Sequence, residues 1–248
     1  MKKILFTRRM LCIVFALLAV FTANAQEKAP EKKKIGGFMN RTGDHLMLQL
    51  TSDYWIGTPD SIDKRINGFA RGANVYVMLD QRFKSSPKWS VAFGLGIGTS
   101  NMYFKNTVVD IKAKTNKLPF IKVDSINHFK KYKVTTAFLE VPLELRFTAD
   151  PINEMKSIKF AVGVKVGTLL NVHTKGKTLL DKNGATLNTY SAKETGKGYF
   201  NSTRLAATAR VGYGNFSLFG SYQFNNIFKD GVAADVKLVQ VGLNFSGL

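Results

Sequence analysis

The chain has 248 residues, 45% hydrophobic and 21% charged, one cysteine, and a formal charge of +19 at pH 7. A lone cysteine excludes a disulfide-stapled or thiolate-metal scaffold. After the N-terminal segment no stretch reaches 18 consecutive apolar residues, which excludes a membrane-spanning helix. The mean hydropathy of −0.07 suits a soluble protein, and equally a membrane barrel whose strands turn half their residues to a polar interior.

In chain order, Lys2, Lys3, Arg8 and Arg9 precede an apolar run from Met10 to Phe21, and Ala23-Asn24-Ala25 offers a small-x-small cleavage site. This pattern predicts a secretory signal peptide over residues 1–25. Cys12 follows Leu11, so the small residue that a lipoprotein signal needs before its cysteine is missing. Residues 26–44 are rich in Lys, Glu, Pro and Gly without hydrophobic period, which predicts a flexible periplasmic tail.

From residue 45 the sequence alternates. Trp89, Val91, Phe93, Leu95 and Ile97 interleave with Ser90, Ala92, Gly94, Gly96 and Gly98; Ala137, Leu139, Val141, Leu143 and Leu145 interleave with Phe138, Glu140, Pro142, Glu144 and Arg146. Period two gives each strand one apolar and one small-to-charged face. Runs of about ten residues are long enough to cross a bilayer at a tilt. Eight strands are predicted near 45–54, 69–83, 88–104, 134–148, 158–171, 201–213, 216–227 and 236–245. Short turns at 84–87, 149–157 and 214–215 alternate with long connections at 55–68, 105–133, 172–200 and 228–235, as periplasmic turns and outer loops do. The predicted fold class is all-β: an eight-stranded antiparallel up-and-down transmembrane barrel over 45–248, with long extracellular loops, in the outer membrane. Aromatic residues gather at both strand ends, among them Trp55, Phe104, Tyr199, Phe200 and Phe228 on the long-loop side and Trp89, Phe147, Phe160 and Tyr213 on the short-turn side. They predict two interfacial girdles.

The segment Phe138-Leu139-Glu140-Val141-Pro142-Leu143-Glu144-Leu145 resembles a strand of the PorT-like outer-membrane β-barrel family. Ala209 to Leu218, Ser221-Tyr222 and Val239 to Leu243 resemble its C-terminal half. The resemblance implies the barrel architecture. It does not imply one function, since some relatives serve an envelope secretion machinery and many have no assigned role.

If the apolar faces meet lipid, Glu140, Glu144, Arg146, Lys165, Arg204 and Arg210 turn inward. Folding two strands about the turn 149–157 sets Lys165 opposite Pro142, between Glu140 and Glu144. Buried charges must be paired, so these six predict an ion-paired plug in a lumen just wide enough for side chains. The glycines at 94, 96 and 98 have strand period and no following helix, and predict a close-packed wall rather than a phosphate loop.

No cofactor or metal site is expected, and an exported chain has no nucleic acid to meet. His173, with Ser191 or Asp181 in the same loop, is the strongest candidate for rim-active lipid hydrolase or acyltransferase chemistry, which requires direct hydrogen-bond contact. His45 stands at the start of the first predicted strand and His128 in the second long connection. The leading expectation is a non-enzymatic barrel with a structural or binding role at the envelope. Its alternatives are a secretion-machinery component and the rim enzyme. Seven lysines between 106 and 133 face only Asp110 and Asp124. Lys112, Lys114, Lys130 and Lys131 are therefore candidate contacts for anionic glycolipid such as lipopolysaccharide, carried on a hairpin formed by strands three and four. Outer-membrane lipid and envelope proteins are the expected partners.

Overall fold

The computed structural model describes residues 46–68 and 70–246. The predicted signal peptide, the 26–44 tail and His45 lie outside the described residues. Among the described residues eleven strands form: β1 (Leu46–Ile56), β2 (Ala70–Arg82), β3 (Trp89–Phe104), β4 (Thr107–Val109), β5 (Phe120–Lys122), β6 (His128–Thr148), β7 (Ile158–Leu180), β8 (Thr186–Thr195), β9 (Thr203–Tyr213), β10 (Phe216–Gln223) and β11 (Lys237–Ser246). A short helix, α1 (Asp60–Asp63), sits in the first long connection.

Nine strands make one sheet in the order β6-β3-β2-β1-β11-β10-β9-β7-β8. Because β6 also pairs with β7, eight of them run round in a ring from which β8 branches. All neighbours are antiparallel, and β1 meets β11 from Met47 opposite Ser246 to Ile56 opposite Lys237. The expected eight-stranded up-and-down barrel is corrected by this topology: the main sheet has nine strands, and β4 and β5 form a separate two-stranded sheet. The difference lies in the long connections. Beyond the apolar band β6 and β7 continue outward, pairing from Thr135 opposite His173 to His128 opposite Leu180, and β8 adds to β7. Hydrogen bonding of the backbone continues there without the apolar period that marks the lower strands.

The expected hairpin of strands three and four is also corrected. It reaches as far as Phe104 opposite Tyr132, beyond which β6 continues outward paired with β7 alone, while Val109 and Ile111 turn in and are buried over the mouth of the ring. A register shift at Ala137/Phe138 marks a bulge in which Leu170 of β7 has no opposite residue. Below it the buried residues of β7 are the odd-numbered Lys159, Ala161, Lys165, Gly167 and Leu169; above it they are the even-numbered Val172, Thr174 and Gly176. One extra residue thus exchanges the two faces of the strand.

The sheet is apolar on its outer face. Val77, Leu95, Val141, Val164, Leu218 and Leu243 are exposed large hydrophobics, each alternating with a buried or small residue. Such a continuous apolar surface is a membrane-contacting one. At the short-turn end Trp89, Phe160, Tyr213 and Phe216 face outward, as a girdle requires. At the other end Tyr54 is exposed as expected, but the rest of the expectation is corrected, because Phe104, Tyr199, Phe200 and Phe228 are buried. They pack with Trp55 into an apolar cluster across the mouth, with ring centroids 5.7 Å apart for Trp55–Phe104 and 5.5 Å for Trp55–Phe228.

Val141→Arg and Val164→Arg should each destabilise the fold by roughly 2–4 kcal/mol, the effect of a cation at the midplane of a lipid-facing strand. Ile152→Arg, in the exposed turn between β6 and β7, should leave it unchanged. Denaturant titration in phospholipid vesicles measures this, and equal effects at all three positions would contradict lipid contact.

Candidate functional site

The interior of the ring is polar at its centre and apolar at its outer mouth. Glu140 on β6 has no exposed surface. Its Oε2 accepts a hydrogen bond from the Tyr76 hydroxyl at 2.5 Å and faces Lys165 Nζ at 3.3 Å, while Oε1 accepts from Arg204 Nη1 at 2.9 Å. The Arg204 guanidinium also lies over the Phe138 ring, 3.9 Å from its centroid. Lys165 donates to Gln240 Oε1 at 3.3 Å, and Gln240 donates to Asp53 Oδ1 at 3.0 Å. Thr51 donates to the same Asp53 oxygen at 2.6 Å.

Glycine makes the room. A Cβ on Gly98 would lie 2.5 Å from the Glu140 carboxylate, and one on Gly96 would lie 2.5 Å from the Tyr76 ring. The register sets Gly96 opposite Glu140, and Pro142 opposite Lys165.

A second tier lies nearer the short turns. Glu144 Oε2 accepts from Arg146 Nε at 2.9 Å and Arg210 Nη2 at 3.1 Å, and Asp80 lies 3.9 Å from Arg146. At the rim Glu154 forms salt bridges with Arg82 and with Lys159. The structure therefore brings Glu140, Lys165 and Arg204 together in one tier and Glu144, Arg146 and Arg210 in another. Sequence parity marked all six as inward. Tyr76 and Gln240 are buried beside them, and their place as bridges depends on register across strands far apart in the chain.

The candidate catalytic group does not assemble. His173 pairs with Thr195, whereas Ser191 pairs with Lys177, four residues along β7 and about 13 Å away at the rise of a strand. The His173 ring contacts Asn171 at 3.3 Å, and Asp181 Oδ1 accepts from the amides of Asn183 and Ala185 in its own turn. His128 contacts the carbonyl of Ile126. Among the described residues no group of three His, Cys, Asp or Glu side chains could hold a metal ion.

Of the candidate glycolipid contacts, Lys112 and Lys114 are exposed on the connection between β4 and β5, and Lys130 and Lys131 are exposed on β6. Sequence reading missed a denser basic face. On the outward side of the β6–β7–β8 arm, Lys133 pairs with Lys175 and Lys175 with Lys193, while Lys131 pairs with Lys177. Lys133 donates to Asn101 Oδ1 at 2.6 Å and lies 5.9 Å from the Tyr103 ring centroid. Burial first, and then Lys175 and Lys177, hold its pKa below the ordinary lysine value. Burial and then Lys193, Lys133 and Lys175 lower that of His173.

With the fold and interior in view, comparison assigns the class. The chain matches the outer membrane protein beta-barrel domain family over residues 24–229, and it belongs to that family. Its place is the outer membrane, and its interior holds buried salt bridges. No curated protein matches the chain. Among solved structures it is similar to the crystal structure of Ail, the attachment invasion locus protein of Yersinia pestis, at 14% identity and a TM-score of 0.34, covering 81% of this chain and 94% of that one.

Two predictions follow from the interior and the mouth. Lys165→Met should destabilise the fold by roughly 3 kcal/mol, because a buried carboxylate loses a partner. Glu140→Leu should do more harm, since it leaves both Lys165 and Arg204 without their shared anion; urea unfolding midpoints in detergent rank the two, and the reverse order would remove Glu140 from the centre of the tier. At the mouth, Arg65 Nη2 meets Asp124 Oδ2 at 2.6 Å and Arg65 Nη1 donates to the Asn106 carbonyl at 3.2 Å. The hydrogen bond from Arg65 lowers the pKa of Asp124. The folded-state value lies below the unfolded one, so this contact contributes above the ordinary carboxylate range and is lost as pH falls through the lowered value. Amide exchange of Lys105 and Val123 should accelerate on that acidification in wild type and be fast at every pH in Asp124→Asn.

Proposed function

We propose that this protein is a non-enzymatic, non-conducting outer-membrane barrel protein that presents a binding surface at the cell exterior, exported by a cleaved signal peptide. The observation that carries this reading is the filled interior. The ion-paired tiers occupy the centre, and the aromatic cluster covers the outer mouth. Inside the ring, one cavity under the cluster and one at the short-turn end measure about 10 Å³ each, about one water-sized sphere; a larger cleft of about 810 Å³ is lined by the exposed Ile56, Tyr222 and Phe224 and opens to the outside. Ion passage would require breaking several buried charge pairs at once. The separation of His173 from Ser191 and Asp181 supports a non-enzymatic role. The Phe138 to Leu145 strand supports a place in the PorT-like branch of the family.

The long connections form the exterior surface, because short turns face the periplasm in such proteins. That surface is built: the β6–β7–β8 arm is a three-stranded sheet, and the cluster at the mouth ties Leu118 to the Val232 carbonyl and the Tyr199 hydroxyl to the carbonyls of Ala113 and Thr115. A rigid outer platform on a sealed ring suits structural or binding work. Purified protein in a planar bilayer should show no stable conductance, and a steady open channel in the unmodified protein would overturn the reading.

A further inference from the structure

We infer that the outward face of the β6–β7–β8 arm binds the phosphate groups of outer-leaflet glycolipid. The inference rests on the reading above only in taking the long connections as the exterior side. Its argument is placement and charge. The outward girdle residues Phe147 and Phe160 stand opposite each other. A span of about 9–11 residues from them brings the top of the apolar band to Ala137, Asn171 and Leu170. Lys133 and Lys175 lie four residues further out, about 13 Å along the strand, or about 9 Å in height at a tilt of about 45°. That is headgroup height, within reach of a long, flexible side chain.

The bulge at Leu170 makes this face. Without the extra residue, the odd-numbered series that carries Lys165 inward would carry Lys175 and Lys177 inward too. With it, both turn outward beside Lys131 and Lys133 of β6 and Lys193 of β8. Like charges directly opposite across a sheet destabilise it, and here three lysines stand in one row, Lys133, Lys175 and Lys193. Among the described residues none of the five is in a salt bridge. Glu194, the nearest acid in sequence to Lys193, pairs with Thr174 on the opposite face. A row of cations held together on a rigid sheet is compensated by an anion from outside the chain. Continuity with the lipid-facing band selects a membrane phosphate as that anion.

The test uses the full chain folded in zwitterionic detergent, its fold verified by heat-dependent mobility in gels. Native mass spectrometry then measures retention of lipid A bearing two phosphates against dephosphorylated lipid A. The diphosphorylated form should bind at least about tenfold more tightly, a difference of about 1.4 kcal/mol, and the preference should shrink as salt rises. Lys133→Gln/Lys175→Gln/Lys193→Gln should abolish the preference, whereas Lys112→Gln/Lys114→Gln should keep it. Removing the row should also raise the unfolding midpoint, so the triple variant is expected to fold; should it fail the gel test, Lys131→Gln/Lys177→Gln takes its place. Equal retention of the two lipids by wild type, or an unchanged preference in a folded variant, overturns the inference. Soluble polyphosphate binding as tightly as the diphosphorylated lipid would overturn the assignment to lipid. None of these outcomes depends on conductance, so the sealed-ring reading and this one fail separately.

Discussion

The carboxylate of Glu140 has no exposed surface, and an ionised group so placed must find its partners within the protein. The middle of the structure is arranged around that demand. Gly98 and Gly167 hold back side chains so that the carboxylate has space, since a Cβ on Gly167 would approach Glu140 Cγ to 2.9 Å. Tyr76 approaches from β2, Lys165 from β7 and Arg204 from β9. Three strands are thereby fixed to β6 at one height, and the Lys165–Gln240–Asp53 relay extends the connection to β11 and β1. A slip of one residue in any of these pairings would send a charge to the lipid face and an apolar side chain to the interior.

The usual arrangement of a soluble protein is inverted. Its apolar surface faces out, where lipid accepts it, and its charges face in, where they neutralise each other. At the outer mouth the interior reverts to an apolar core of Phe104, Tyr132, Phe200 and Phe228. There the wall is no longer ringed by lipid, and burial of aromatic surface again stabilises in the ordinary way. On the outside of that upper region the arm turns lysines 131, 133, 175, 177 and 193 outward, where the surroundings are polar.

The lower strands were legible because lipid on one side and packed polar groups on the other impose a strict period of two. Val91 to Ile97 and Leu139 to Leu145 declare it, and their predicted boundaries lie within one or two residues of β3 and of the lower end of β6. Inward parity also picked out Glu140, Lys165 and Arg204. The upper half of β7 was not legible, since Asn171, His173, Lys175 and Lys177 alternate with Val172, Thr174 and Gly176 in a pattern common in solvated loops. β8, TLNTYSAKET, carries less signal still. The fate of the aromatic residues was misread for a related reason. An aromatic residue at a strand end satisfies an interfacial girdle or an inward cluster equally well by sequence, and only the folding of the 105–127 connection over the mouth decides it. The Leu170 bulge carries no sequence signature, yet it determines which lysines share a face.

The cover over the mouth has a consequence in time. Its contacts join residues far apart in the chain: Tyr199 reaches Ala113 and Thr115 across 86 and 84 positions, and Leu118 reaches Val232. Contacts of such separation carry a large loop-closure entropy until the intervening strands are paired. The ring itself is completed only when β1, at the start of the described chain, meets β11 at its end. Lys165 and Glu140 must therefore remain in contact with water through most of assembly and shed it late. Closure of the ring and covering of the mouth join the residues furthest apart in the chain, so these are the steps expected last, and they are the ones that exclude solvent from the tiers.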